Sequence, residues 1–380
     1  MTTPLRAASP RATSANVQGS HFGATRIAQW LLVGPAQQAD GPHAGAVAGW
    51  IDAAGKAEYV YPEITGYFLQ WLAWMARSHG RQRAYVARAE AALHWIDERW
   101  LAAGPRPPTR IYVDATCDDW RNDALFTFDL AMALRGIGAA AREGLLGAPE
   151  AIVDRVCGAL ARMIVGDGHL DACLPDGDRA NLPDRWSTRR GPFLAKAAAG
   201  ILAASEALQN VPAVLVNAAR RSFDTSVDAL ARAPHDETHP FLYAIEGFLA
   251  RPADGAFATR LPTITAHFDA LLERSGKLGR VPETAQNAGP RRLDIVAQAL
   301  RAGLLLDVHR ADGISRRREL DRLADTLAQY VRSDGALPFS PDADVVQLNV
   351  WTAMFAEQAL SLAACEPQEI ARCAASPTII

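Results

Sequence analysis

Cysteine is scarce in this 380-residue chain, with five in all, at Cys117, Cys157, Cys173, Cys365 and Cys373. Their odd number and wide spacing exclude a disulfide framework, and no CxxC or Cys/His pairing gives zinc-ligand spacing. Each thiol is expected to be a small buried hydrophobe, free in a reducing cytoplasm. Long apolar runs are missing too. None approaches the roughly 18 residues of a membrane span, and the apolar stretch 27–33 lacks the basic flank and cleavage site of a secretory signal. Neither sign of charge dominates, with 39 Lys and Arg against 42 Asp and Glu and a formal net charge of -3. That balance excludes a surface built for nucleic-acid phosphates. Phosphate-cradling glycine loops, the GxSxG elbow and the HExxH zinc motif are absent. So is a DxDD proton donor, because Thr116 stands where its first acid would be. No metal or cofactor is expected.

What abounds is helical periodicity in segments rich in Ala, Leu and Arg, while alternating strand patterns are few. The pattern predicts about twelve helices, near 23–34, 62–78, 81–101, 122–142, 149–165, 189–208, 212–232, 239–251, 257–274, 292–309, 315–333 and 348–364. The polar, proline-punctuated residues 1–20 are expected to form a flexible tail before a single domain over 21–380. Segments such as 81–100, 149–165 and 315–332 carry charge on one face, whereas 193–208, 295–306 and 351–363 are apolar nearly all round. The first kind suits a surface and the second a buried position. Gly- and Pro-rich loops recur at 45–55, 167–177, 276–283 and 334–342, as in an array of like units. Alternating outer and inner helices in six hairpins predict an all-α (α/α)6 toroid in preference to an open solenoid.

In such a toroid the inner-helix N-termini share one mouth, where free N–H groups and helix dipoles favour anionic or hydroxyl-rich ligands. In the segment from Tyr61 to Tyr67, Pro62 suits a first turn, and Glu63 and Tyr67 share a face. A carboxylate opening a buried helix needs a partner or a ligand. The adjacent Asp118 and Asp119 could split their pKa values for acid–base work, although one of them is expected to cap a helix. Asp129 reads as a structural hydrogen-bonder. Arg185, Arg189 and Arg190 make a candidate anion site, and Lys196, inside an apolar helix, must reach a carboxylate or the cavity. His239, Tyr243 and Glu246 form one helical stripe, with His239 a neutral-pH acid or base. Asp294, Gln298 and Arg301 form another, with an internal Asp–Arg pair as the competing role. Asn349 caps a helix or binds a hydroxyl. Trp50, Trp120, Trp186 and Trp351 lie in or beside the same loops, and their amphipathic rings suit sugar faces.

The string GAVAGWID…VYPEITGYFLQWL resembles the start of the VpsJ-like polysaccharide biosynthesis proteins. Further blocks follow in order: LFTFDLAMALRGI (125–137), GPFLAKAAAGIL (191–202), THPFLYAIEGFL (238–249), LDIVAQALRAGLLL (293–306) and NVWTAMFAEQAL (349–360). Pro240 departs from the pattern, which has a small residue after the histidine. The resemblance implies a toroid related to six-hairpin glycosidases and terpenoid cyclases, and a role with exopolysaccharide or capsule.

The leading expectation is a carbohydrate-active enzyme acting on a polysaccharide or its lipid-linked precursor by hydrolysis, elimination or epimerisation. Glu63, Asp118 or Asp119 would supply acid and base, and His239 or Tyr243 would assist. Trp50, Tyr61, Tyr67, Trp120, Trp186, Asp294 and Asn349 would bind sugar, while Arg189 and Arg190 would hold a uronate or phosphate. One alternative is a non-catalytic glycan-binding or assembly protein of a polysaccharide synthesis complex. The other is a terpenoid-type cyclase, which the polar stripes on the inner helices oppose.

Overall fold

The computed structural model describes residues 14–114, 117–177, 182–233, 236–255, 257–310, 316–374 and 378–379. Among them are thirteen α-helices: α1 (Ser14–Val33), α2 (Pro62–His79), α3 (Arg83–Trp95), α4 (Thr127–Arg142), α5 (Glu150–Ala161), α6 (Leu194–Ala207), α7 (Ala213–Arg232), α8 (Thr238–Leu249), α9 (Phe257–Leu278), α10 (Leu293–His309), α11 (Arg317–Tyr330), α12 (Val350–Ala363) and α13 (Pro367–Ala374). The six even-numbered helices from α2 to α12 each pack on the next, and α12 returns to α2, so the inner ring is closed. Outside it, α1 packs on α12, α3 on α2, α5 on α4, α7 on α6 and α11 on α10. The expected (α/α)6 toroid is therefore the fold.

Burial explains the two rings. Helix α2 is buried without a break from Pro62 to Ala76, as its uniformly apolar sequence requires. Helix α11 buries only Leu320, Leu323, Ala324 and Leu327, a single stripe at helical spacing. Pro62 occupies the first turn of α2 after an extended Tyr61. Asn349 caps α12, its Oδ1 accepting from the Thr352 N–H at 2.9 Å.

Six short strands frame the mouth: β1 (Ala48–Ile51), β2 (Ala57–Val60), β3 (Ile111–Tyr112), β4 (Ala124–Phe126), β5 (Cys173–Pro175) and β6 (Leu348–Asn349). They form an antiparallel sheet in the order β3-β2-β1-β6 and a β4-β5 pair. Strands β2, β4 and β6 run almost directly into α2, α4 and α12, so the sheets fix where those inner helices begin. The register is irregular on both sides of Trp50.

The structure corrects several boundaries. Residues 14–20 of the expected tail begin α1, while residues 1–13 lie outside the described part. Helix α4 starts at Thr127 rather than 122, because 120–123 form a 3-10 turn and 124–126 pair with β5. Helix α6 starts after Pro192, and α13 was not foreseen. All five cysteines are free, but only Cys157 and Cys173 are buried; Cys365 and Cys373 are half-buried and Cys117 is exposed, in the loop after β3 and outside the helix packing. No helix among the described residues is long and apolar enough to cross a membrane.

Helices α2 and α4 meet backbone to backbone. A Cβ on Gly66 would lie 2.5 Å from the Met132 carbonyl oxygen, and one on Gly136 would strike the Gly66 carbonyl. Gly136→Ala is therefore expected to destabilise the fold by about 1–3 kcal/mol, measured by urea unfolding. Gly158→Ala, exposed on α5 with nothing near its Cβ, should stabilise by roughly 0.5–1 kcal/mol. Equal stability of the two variants would contradict the close α2–α4 contact.

Candidate active site

The first turns or the cap residues of all six inner helices border one cavity of about 390 Å³, within the size range of small-molecule sites. Aromatic rings gather in three groups along its wall. Trp50, Phe339 and Trp351 form one group, with Phe339 centred 5.8 Å from Trp50 and 6.1 Å from Trp351. Trp120 and Phe126 form a second, at 6.2 Å. Trp186, Phe193, Phe128, Tyr243 and His239 form a third, in which the His239 and Tyr243 rings lie 4.3 Å apart at a tilt of 54° and Phe128 lies 4.8 Å from Tyr243.

Between these rings stand two opposed polar groups. On the α2–α4 side, Tyr61, Glu63 and Asp129 line the cavity with Thr109 and Arg110. Burial pushes the Glu63 carboxyl up, against hydrogen bonds from Tyr61 and Tyr67. Burial also pushes Asp129 well above the carboxylate range, and the charge of Glu63 adds to the shift. Both carboxyls are thus drawn toward the protonated form, Asp129 by the charge of Glu63 as well as by burial. Tyr243 Oη donates a long hydrogen bond, 3.5 Å, to Glu63 Oε1. Burial and the two carboxyls keep Tyr61 a phenol, able to donate.

On the α8–α10 side, His239 lines the cavity, and burial lowers its pKa to about 4 despite the nearby Asp294 carboxylate. The imidazole is therefore neutral at pH 7. Its Nδ1 lies 2.7 Å from Gln298 Oε1 and 3.6 Å from Asp294 Oδ2. Arg292 grips Asp294 with two hydrogen bonds, of 3.2 and 2.7 Å. Although burial opposes it, Arg292 and His239 hold the Asp294 carboxyl below its ordinary range. Beneath the cavity, Glu246 accepts from Lys196 Nζ at 2.7 Å, from Gln298 Nε2 at 3.2 Å and from Arg301.

The structure thus brings Trp50, Tyr61, Glu63, Trp120, Trp186, His239 and Tyr243 to one cavity. Other expected site residues stand elsewhere. Asp119 is buried behind the wall, capping the turn at 120–123 and paired with Arg121 at 2.9 Å and Arg110 at 3.4 Å. Burial opposes its ionisation, but Arg121 and Arg110 outweigh it, so the carboxyl stays low and carries no proton to give. Asp118 is exposed and does not line the cavity. Arg189 pairs with Asp184, and Arg190 pairs with Asp167 at 2.8 Å, both at the surface; Arg185 of the same stretch reaches the cavity instead. Tyr67 is fully buried below the site, Asp294 supports His239, and Asn349 is a cap. Lys196 meets a carboxylate, as its position demanded.

Sequence reading missed Asp129 as a cavity residue, together with Arg110, Arg292, Phe128 and Phe339. The available signal for Asp129 was its place in the first turn of an apolar inner helix, the same kind of position as Glu63 in α2. Among the described residues no group of three or more His, Cys, Asp and Glu could hold a metal ion.

No protein-family profile matches the chain, and no curated protein matches it in sequence; the VpsJ-like resemblance rests on its quoted motifs. Solved structures do share the fold. The chain is similar to a D-mannose isomerase over 93% of its own length and 99% of the other's, with TM-score 0.68 and 13% identity. It is similar to a sugar epimerase from a ruminal bacterium over 89% and 98%, with TM-score 0.67 and 9% identity. A glycosidase aligns over 93% and 99% at TM-score 0.62 and 14% identity. The fold also recurs in a type II terpene cyclase from Scytonema, at TM-score 0.58 and 13% identity over 93% and 99%.

Folding lowers the pKa of His239 from 6.5 to about 4, so the unfolded chain takes up this proton first as pH falls. The stabilising contribution is complete above pH 6.5 and is lost between 6.5 and about 4. Between pH 7 and 4 the wild type should therefore lose about 3 kcal/mol more stability than His239→Asn, read from urea midpoints at each pH. Parallel pH profiles would show that the imidazole is not buried in its neutral form.

Proposed function

We propose that this chain is an acid–base sugar enzyme that moves a proton at the carbon beside a sugar carbonyl, as an isomerase or epimerase does. One observation carries the reading: a buried imidazole of lowered pKa and two buried carboxyls of raised pKa line opposite sides of one cavity rich in aromatic rings. In the open-chain sugar, His239 takes the C2 proton while the Glu63–Asp129 pair gives its proton to the carbonyl oxygen, leaving an enediol. Returning the proton to C1, with the pair recovering its own from the C2 hydroxyl, gives the ketose. If the enediol turns over so that the protonated His239 meets the other face of C2, and the pair recovers its proton from the C1 hydroxyl, the product is the epimer. Each route consumes and restores the same two protons, so no co-reactant is needed. Tyr61 and Arg110 stand beside the carboxyl pair, where charge develops on oxygen.

The mannose isomerase and sugar epimerase of like fold support this reading, as do aromatic faces suited to the C–H faces of a sugar. A cavity of about 390 Å³ suits a free sugar or a chain end. We place that sugar in exopolysaccharide or capsule metabolism on the strength of the VpsJ-like motifs. Hydrolysis is the second reading: its two carboxyls must flank the scissile bond, and Glu237 and Glu283 line the same cavity as Glu63 and Asp129, but it leaves the buried neutral imidazole without a role. A cyclase would suit the aromatic rings and the protonated Asp129. Its hydrocarbon substrate would face the polar side chains of Arg110, Arg292, Glu237 and Glu283, which line the same cavity.

Incubation of the purified protein with an aldose and ketose panel in D2O should exchange carbon-bound hydrogen for deuterium at C1 or C2. His239→Asn, Glu63→Gln and Asp129→Asn should each slow that exchange by about 100- to 10,000-fold. Release of reducing ends from glycans without deuterium uptake would assign hydrolysis instead. Binding of glycans with no turnover on any member of the panel would leave the non-catalytic reading.

A further inference from the structure

Three charged side chains with no role in the reaction above, Lys196, Glu246 and Arg301, are buried together beneath the cavity. Such a cluster is a poor source of stability, because desolvation offsets most of the attraction. Its geometry relative to Gln298 gives it another use.

Glu246 is engaged on both oxygens, Oε2 by Lys196 and Oε1 by Arg301. Arg301 is itself steadied by Gln358 Oε1 at 2.9 Å. Burial opposes the charge on Glu246, but Arg301 and Lys196 outweigh it and hold the carboxyl ionised. An ionised carboxylate only accepts hydrogen bonds. The fully buried Gln298 amide must therefore turn its NH2 toward Glu246, and Nε2 lies 3.2 Å from Oε2. That leaves Gln298 Oε1, which also only accepts, against His239 Nδ1 at 2.7 Å. The orientation cannot be reversed without setting an amide oxygen against a carboxylate.

We propose that Gln298, oriented by Glu246, is a positioning residue that fixes the proton of His239 on Nδ1 and so leaves the Nε2 lone pair free for substrate. Imidazole in water favours the proton on Nε2, which would blunt the base, so the relay reverses the intrinsic preference. Asp294, 3.6 Å from the same Nδ1, is an acceptor of the same sign but longer reach. Nε2 takes no hydrogen bond from the described residues. The inference rests on His239 as the base of the proposed reaction, but the tautomer is measurable without any substrate.

The experiment is long-range 1H–15N correlation of the full chain labelled at its nine histidines, with the His239 pattern assigned by its loss in His239→Asn. The expected wild-type pattern is a protonated Nδ1 and a bare Nε2. In Gln298→Leu the Nε2–H form should become a major species, whereas Asp294→Asn should leave the wild-type pattern. If the leucine variant fails to fold, Gln298→Met replaces it, since it keeps the side-chain length and removes the acceptor. An Nε2–H tautomer in the wild type overturns the proposal, as does an unchanged tautomer in a folded Gln298 variant. The proposed tautomer without deuterium exchange on any sugar would sink the assigned reaction while leaving the relay intact, and the converse pair of results would do the opposite.

Discussion

At the axis of the toroid Glu246 of α8 meets Lys196 of α6 and Arg301 of α10, so one carboxylate ties three consecutive inner helices together. Breaking a buried pair of this kind leaves an uncompensated charge and costs about 3–5 kcal/mol, a large share of the stability of an ordinary protein. Lys196 also lies over the rings of Tyr67, Tyr243 and Phe355, at 4.8, 4.4 and 5.1 Å, which offsets part of its desolvation. The carboxylate fixes Gln298, Gln298 faces His239, and His239 packs against Tyr243. The floor of the cavity is thus held by one chain of contacts that starts from a single charge.

The chemistry above that floor follows from burial acting in opposite directions on acids and bases. Desolvation lowers the pKa of an imidazole and raises that of a carboxyl, so burial favours the neutral form of each. A base is thereby kept free of its proton while the acids are drawn toward holding theirs. Nearby charged side chains sort the remaining groups. Asp119 and Asp294 lie against arginines and stay ionised, which makes them supports rather than proton donors. Glu63 and Asp129 are instead raised, both by burial and Asp129 also by the charge of Glu63.

The rings of helices were legible because each inner helix must be apolar all round and each outer one only on a stripe. The charge inside α6 told correctly that Lys196 needed a carboxylate. The strands were not legible, since two- to four-residue segments such as β3 and β6 carry too little alternation to register. The acid assignment failed for a related reason. Asp118 and Asp119 are conspicuous as neighbours in sequence, but the turn at 120–123 points one into solvent and gives the other to two arginines. Asp129 looked structural because it sits in an apolar helix, and that same burial raises its pKa. The arginines were misjudged likewise: Arg189 and Arg190 find acidic partners at the surface, whereas Arg110 reaches the cavity from a proline-rich loop that has no periodicity to read.

The central claim is that a sugar sits between the imidazole and the carboxyl pair. A crystal structure with a saturating open-chain polyol, an unreactive relative of the sugar, tests it most directly. The account predicts polyol oxygens or carbons within about 2.6–3.5 Å of His239 Nε2 on one side and a hydroxyl hydrogen-bonded to Glu63 or Asp129 on the other, with Trp50, Trp186 or Trp351 against the carbon chain. A cavity holding only water at saturation, with polyol bound on the outer surface or nowhere, would contradict it.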